Sequence, residues 1–196
     1  SYKKKEVIFH SRSRTKTVYF VYSGEVMLYN LTKHGNRKVI FILGKGRLLN
    51  QSIVSKKPNA LFCEAACPVQ VIEIAEKQFL QLMEQSHALT RAVLREYERN
   101  LWRMGHQLKN TTGNMQMERK IAAKLWKLGR DFGVDTEDGV MIDIDLTITL
   151  MADLVGAPRE NVSRACKVLT DRGLIRYGNK RFILIDFDGL AKFYKM

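Results

Sequence analysis

The chain has 196 residues, with 33 Lys and Arg against 20 Asp and Glu, and a formal net charge of +13 at neutral pH. It is long enough for one large domain or two small ones, and no apolar run approaches the roughly 20 residues that a membrane span needs. The basic start, Ser1-Tyr2-Lys3-Lys4-Lys5, leads into no apolar signal segment, and Cys63, Cys67 and Cys166 make no disulfide framework, so a reducing cytoplasm is the expected compartment.

Positive charge attracts nucleic acid without specifying it. The excess is also unevenly spread: residues 117–196 hold 14 basic and 12 acidic side chains, residues 1–116 hold 19 and 8. A nucleic-acid function therefore has to rest on a motif.

Val18 to Tyr22 is β-branched and aromatic, and Ser23-Gly24 breaks it. Glu25 to Leu31 resumes with Val26, Met27, Leu28 and Tyr29, then Lys33-His34-Gly35-Asn36 turns and Lys38 to Leu43 forms another strand. Beyond Gly44 and Gly46, Val69 to Ile74 is a further short apolar run. Short strands with glycine-bearing turns predict an antiparallel barrel or sandwich over residues 1–85.

From Glu76 to about Leu108 proline is absent and Gly105 is the only glycine, which predicts helix. Leu94, Tyr97, Leu101, Met104, Leu108, Thr111 and Met115 alternate at spacings of 3 and 4, a heptad seam. The seam can pack on its own barrel or on a second copy. Its length favours self-association, with Leu94, Tyr97, Leu101, Met104 and Leu108 at the dimer interface. Residues 86–113 are therefore read as dimerisation helix and hinge, the hinge at Thr111–Asn114, and residues 114–196 as a further domain.

In that domain Glu118 to Phe132 is amphipathic, with Ile121, Ala122, Leu125 and Leu128 on one face. Asp135 to Gly139 reads as an acidic turn and Met141 to Leu146 as a short strand. Thr147 can cap a helix that buries Leu150, Met151 and Leu154. Gly156 suits a left-handed turn, and Pro158 suits the first position of a second helix, 158–171. That helix buries Val162, Ala165, Cys166 and Leu169. Its other face carries Arg159, Glu160, Ser163, Arg164 and Lys167, the polar, arginine-bearing surface that major-groove reading needs. Ile175 to Ile183 forms a hairpin tipped by Lys180 and Arg181, a wing suited to phosphate.

These stretches resemble the Crp/Fnr family. Thr17 to Val26 resembles its barrel strand-turn-strand, and Glu118-Arg119-Lys120-Ile121-Ala122 the opening of its DNA-binding domain. Leu154-Val155-Gly156 followed by Arg159-Glu160-Asn161-Val162-Ser163-Arg164 is similar to its recognition helix, the most specific match. The resemblance implies an α+β chain: an antiparallel, cyclic-nucleotide-binding-like jelly-roll barrel as sensor, a long dimerisation helix and a C-terminal winged helix-turn-helix. It also implies a homodimer on a double-stranded, two-fold DNA operator, with RNA polymerase as partner. Glu160 and Arg164 would read bases, Arg164 on the guanine of a TGA half-site, with Arg159, Ser163, Thr147, Lys167, Lys180 and Arg181 as further contacts. A change in the barrel is expected to bring the two recognition helices to or from a separation of about 34–36 Å, one DNA turn.

The sensor departs from the family's cyclic-nucleotide pattern. Where that pattern has Gly-Glu and then Arg-Ser or Arg-Thr, this chain has Gly46-Arg47-Leu48-Leu49-Asn50-Gln51 and Pro58-Asn59-Ala60. Cyclic AMP is therefore not expected, and no cofactor is evident. An unknown small-molecule effector is placed near Lys45, Arg47, Asn50, Gln51 and His106, with Lys56 and Lys57 close by. Cys63 and Cys67 form either a thiol redox pair or ordinary buried hydrophobes, and are too few for a four-thiolate iron–sulfur cluster. No catalytic triad order, metal-ligand spacing or phosphate-cradling loop is present, so the chain reads as a non-enzyme. The competing reading is a barrel serving as a protein-interaction module beside a non-functional DNA domain; Arg159, Glu160 and Arg164 speak against it.

Overall fold

The computed structural model describes residues 1–55, 57–112 and 115–195, with backbone alone for 109–112. The chain divides into two compact units, Ser1–Gly35 with Val39–Lys109, and Asn36–Lys38 with Asn110–Met196.

The first unit is built from strands β1 (Val7–Phe9), β2 (Thr17–Ser23), β3 (Val26–Leu31), β4 (Arg37–Leu43), β5 (Phe62–Ala65) and β6 (Gln70–Ala75), then helices α1 (Glu76–Gln85) and α2 (His87–Thr112). One sheet has the order β1-β5-β3-β4, and β2 pairs antiparallel with β6 in a second. Val39, Phe41 and Leu43 alternate inward along β4, the period of two that a strand imposes. Phe41 and Leu43 join Val21 of β2, Val26 and Leu28 of β3, and Cys63 and Ala65 of β5 in one core, so the two sheets close on shared apolar contents. A second cluster of Val18, Leu48, Ile53, Phe79 and Val93 seats α1 and the first half of α2 on β2 and β6.

The helical stretch expected from Glu76 onward is two helices. Ser86 breaks it in extended conformation, φ −130° and ψ 99°. Its hydroxyl accepts from the Leu89 amide at 3.2 Å, so it caps the helix that follows. At the other end, Thr111 and Thr112 of the expected hinge belong to α2, while Gly113 and Asn114 lie outside the described residues, as does Lys56. At about 1.5 Å per residue, the 26 residues of α2 span about 39 Å.

The second unit runs α3 (Met117–Phe132), β7 (Gly133–Thr136), β8 (Gly139–Ile142), α4 (Ile148–Val155), α5 (Arg159–Asp171), β9 (Ile175–Gly178), β10 (Arg181–Leu184) and α6 (Phe187–Lys195). Its sheet has the order β7-β8-β10-β9. Ile121, Ala122, Leu125 and Leu128 of α3 are buried, as expected, and face a core completed by Leu146, Met151, Leu169, Phe182 and Leu184. The acidic stretch around Asp135 is a strand–turn–strand: β7 pairs with β8 from Gly133↔Ile142 to Thr136↔Gly139. No helix among the described residues is long and apolar enough to cross a membrane.

Gly129 lets α3 approach the rest of this unit. A Cβ there would lie 2.5 Å from Leu184 Cδ1 and 2.9 Å from Phe187 Cε2. Alanine normally favours a helix by about 1 kcal/mol over glycine, whereas overpacking costs about 1–3 kcal/mol. Gly129→Ala is therefore expected to lower stability despite its better helix propensity, and urea unfolding with an unchanged m-value checks this.

Candidate nucleic-acid interface

The Thr147 hydroxyl accepts from the Leu150 amide at 3.1 Å and caps the first turn of α4. A side chain expected among the DNA contacts is thus engaged within the fold. Gly156 ends α4 at φ 72° and ψ 47°, where any other residue would be strained, and its amide donates to the Ala152 carbonyl at 2.7 Å. Pro158 stands one position earlier than the sequence suggests. It is the extended cap residue, ψ 141°, and α5 begins at Arg159.

Val162, Ala165, Cys166 and Leu169 are the buried stripe of α5, and the helix packs on α3 and α4. Arg159, Glu160, Ser163, Arg164 and Lys167 are all exposed. Three- and four-residue spacings put them on one face, so the structure brings the expected base readers together. Asn161 lies with them, a residue the sequence reading passed over. Its Oδ1 accepts from Arg164 Nη2 at 2.8 Å, and the i,i+3 spacing was the available signal.

The wing turns on Asn179 and Lys180, with φ 50° and 61°. Two successive left-handed residues make the two-residue hairpin whose twist matches its strands. Lys180 is exposed at the tip. Arg181 forms an ion pair with Asp143, and Arg176 one with Asp138.

In the first unit, the expected effector residues part company. Lys45 is exposed on the turn after β4. Arg47 reaches α2: its Nε donates to Glu96 Oε1 at 2.5 Å and its Nη2 to Asn100 Oδ1 at 3.1 Å. Asn50 is 5% exposed and fully occupied with β2, accepting from the Tyr19 amide at 2.8 Å and donating to the Thr17 carbonyl at 2.9 Å. Gln51 Nε2 donates to the Leu49 carbonyl at 2.7 Å. His106 stands apart on α2, its ring 3.9 Å from that of Trp102.

Of the expected dimer residues, Leu94, Leu101, Met104 and Leu108 are exposed, Leu101 by 72%. Tyr97 turns the other way. It packs against the barrel cluster and its hydroxyl donates to the Asn50 carbonyl at 3.4 Å; burial pushes its phenol up to about 12. Trp102 is 62% exposed and was missed; its position eight residues after Leu94 was the signal. The side chain of Thr111 lies outside the described residues.

Two family models match this layout, one described as "Cyclic nucleotide-binding domain" over residues 1–86 and one as "Crp-like helix-turn-helix domain" over residues 119–193. The chain belongs to the Crp/Fnr family of transcription regulators. It is 25% identical to the cAMP-activated global transcriptional regulator CRP of Haemophilus influenzae over 188 residues, covering 93% of this chain and 82% of that protein. It is 23% identical to the global nitrogen regulator of a Nostoc species over 184 residues, covering 92% and 82%. Among solved structures, FixK2 from Bradyrhizobium japonicum is similar in fold, with a TM-score of 0.85 at 20% identity, covering 97% and 93% of the two chains.

The cysteines of this Crp/Fnr-family chain are all free. Cys63 lies in β5 and Cys67 in the turn beyond it, so the two do not share one strand face. Burial pushes the Cys63 thiol well up. Cys67 Sγ donates to Glu25 Oε2 at 2.9 Å; desolvation and then that hydrogen bond raise its thiol to about 11. Cys166 is raised to about 11 by burial. Among the described residues no group of three or more His, Cys, Asp and Glu could hold a metal ion.

The thiolate is the reactive form. Iodoacetamide labelling of Cys67 is therefore expected to be very slow at pH 7 and to rise about tenfold per unit until near pH 11. The unfolded chain releases this proton first, near its ordinary value of 9.0. This raised group's contribution to stability is thus complete below pH 9 and lost as pH climbs to 11. A labelling plateau near pH 8 in a Cys63→Ser, Cys166→Ser background would contradict the assignment.

Proposed function

We propose that the chain is a homodimeric, sequence-specific DNA-binding regulator that reads an inverted-repeat operator with α5 and lays the Lys180 wing on the phosphate backbone. The carrying observation is the two-sided character of α5. Its apolar stripe is buried, and its other face presents Arg159, Glu160, Asn161, Ser163, Arg164 and Lys167 to solvent. Arginine pairs bidentately with guanine and glutamate accepts from cytosine N4, so this face carries groove-reading chemistry. The exposed Leu94, Leu101, Trp102, Met104 and Leu108 of α2 support the second copy, because side chains this apolar are rarely left in water as a set. The regulator acts in the cytoplasm, with RNA polymerase as the further partner that its role requires.

Control enters through the barrel, at the loop of residues 44–51 and its contacts with α2. Cyclic AMP is disfavoured because residues 46–51 and 58–60 carry neither the Gly-Glu nor the Arg-Ser or Arg-Thr pair of the family's nucleotide-binding pattern, and the Asn50 amide is already taken up by β2. Thiol signalling is disfavoured because both sensor thiols are held protonated.

Selection from random duplex DNA with the purified protein is expected to enrich an inverted repeat of a TGA core. Arg164→Ala should relax selection at the guanine and cost about 1–3 kcal/mol there. Lys180→Ala should weaken all sites alike and lower the salt slope by about 1. No enrichment would favour the protein-interaction reading instead, and unchanged selection by Arg164→Ala would overturn the assignment of Arg164 to the guanine.

A further inference from the structure

The loop between β4 and β5 is gripped from both sides. On the strand side, the Val21 amide donates to the Arg47 carbonyl at 3.0 Å, Gly46 N–H to the Val21 carbonyl at 2.8 Å and Leu49 N–H to the Tyr19 carbonyl at 2.9 Å. The Asn50 amide adds its own bonds to Tyr19 and Thr17. Arg47 thus projects from a backbone fixed to β2. On the helix side, three residues within one turn of α2 hold the same loop: Glu96 and Asn100 take the Arg47 guanidinium, and Tyr97 reaches the Asn50 carbonyl.

The pair is largely shielded, with Arg47 and Glu96 side chains 16% and 14% exposed. Shielding is what separates such a contact from an ordinary surface ion pair, which contributes almost nothing. The other Glu96 oxygen is 3.7 Å from Arg99 Nη1, so the carboxylate lies between two guanidinium groups. Further along α2, the Gln107 amide donates to the Ile40 carbonyl at 2.9 Å, and the buried Arg103 lies over the Phe41 ring at 5.1 Å. The helix is therefore clasped to the barrel at several successive turns. The central contact sets a carboxylate against Arg47, the kind of group that a guanidinium binds in a free anion.

From this arrangement we infer that Glu96 is a built-in substitute for an anionic effector: it occupies Arg47 in cis, closes the loop onto α2, and lets the protein bind its operator with no small molecule added. This rests on the DNA-binding reading above and names the regulation of that same protein. Breaking the pair opens the contact. Because the Glu96 carboxyl group is what holds Arg47, a free carboxylate should take its place where the side chain has been cut away.

The test uses the full chain and the operator enriched by selection. Wild type, dialysed free of phosphate and organic acids, is expected to bind in Tris–chloride buffer, and added acetate or phosphate should not improve it. Glu96→Ala and Arg47→Ala should each lose affinity within about 5- to 150-fold, the usual range of coupling between a control site and a binding site. Sodium acetate should restore Glu96→Ala toward wild type, relative to sodium chloride at equal ionic strength, which controls for the salt dependence of DNA binding. Acetate should leave Arg47→Ala weak. Recovery by acetate also shows that Glu96→Ala is folded, and sedimentation confirms that both variants keep the wild-type oligomeric state.

The inference fails if wild type needs added anion to bind, if both variants bind like wild type, or if acetate does not restore Glu96→Ala. If wild type enriches no duplex under any anion condition, the DNA-binding reading falls first and this inference with it.

Discussion

Helix α5 has 13 residues, a length at which isolated helices are marginal in water. Its existence therefore depends on the burial of Val162, Ala165, Cys166 and Leu169 against α3 and α4. Because that stripe supplies the stability, the opposite face is released from any structural duty. Six exposed polar side chains can then be chosen for what they recognise. The Thr147 cap and the left-handed Gly156 set where α4 starts and stops. Pro158 and the amide of Asn161, which donates to the Pro158 carbonyl at 3.1 Å, set where α5 begins. A shift of one residue in either junction would rotate the exposed stripe by about 100°, into the core.

The first unit solves a different problem, that of holding the polar residues around Asn50 against a helix with their buried groups paired. Asn59, further along the same loop, keeps a buried side-chain nitrogen without a partner among the described residues. A buried amide without partners costs about 1–3 kcal/mol. Asn50 meets this by bridging to the backbone of β2 in both directions. Tyr97 meets it by placing its hydroxyl on the Asn50 carbonyl while its ring joins the apolar cluster. The same few residues therefore settle both loop position and helix seating, so anything that moves the loop is felt by α2.

The sequence made the parts with strong local periodicity legible. The four buried positions of α5 follow a helical repeat, and the strands β2, β3 and β4 announce themselves by β-branched and aromatic runs. What stayed hidden had weak local signals. Strand β5 is four residues long and buries the acidic Glu64, which breaks the alternating pattern. Strand β7 is exposed throughout and contains Asp135, so it reads as turn; only its pairing with β8 makes it a strand. Ser86 breaks the long helix through a cap hydrogen bond that looks like nothing special among polar neighbours. The heptad seam placed Leu94, Leu101, Met104 and Leu108 on one face but took Tyr97 with them. Seven-residue spacing cannot say whether an aromatic at the edge of a stripe leans toward solvent or toward the chain's own barrel.

The division of charge also gains a physical meaning. The unit that carries α5 and the wing has nearly balanced charge, and two of its arginines are matched by carboxylates, Arg176 by Asp138 and Arg181 by Asp143. A phosphate approaching Arg181 has to compete with Asp143, which lowers the attraction to DNA of any sequence. On the exposed face of α5, Arg164 meets among the described residues the neutral amide of Asn161, which orients the guanidinium without neutralising it. Backbone attraction is sequence-blind, and a regulator is judged by the ratio of operator to bulk affinity rather than by either alone. On the proposed reading, muting the wing's arginines while leaving Arg164 of α5 pre-oriented would shift that ratio toward the operator. The basic excess of residues 1–116 would, on the same reading, act mainly on long-range attraction and encounter rate, and discrimination would be left to the exposed face of α5.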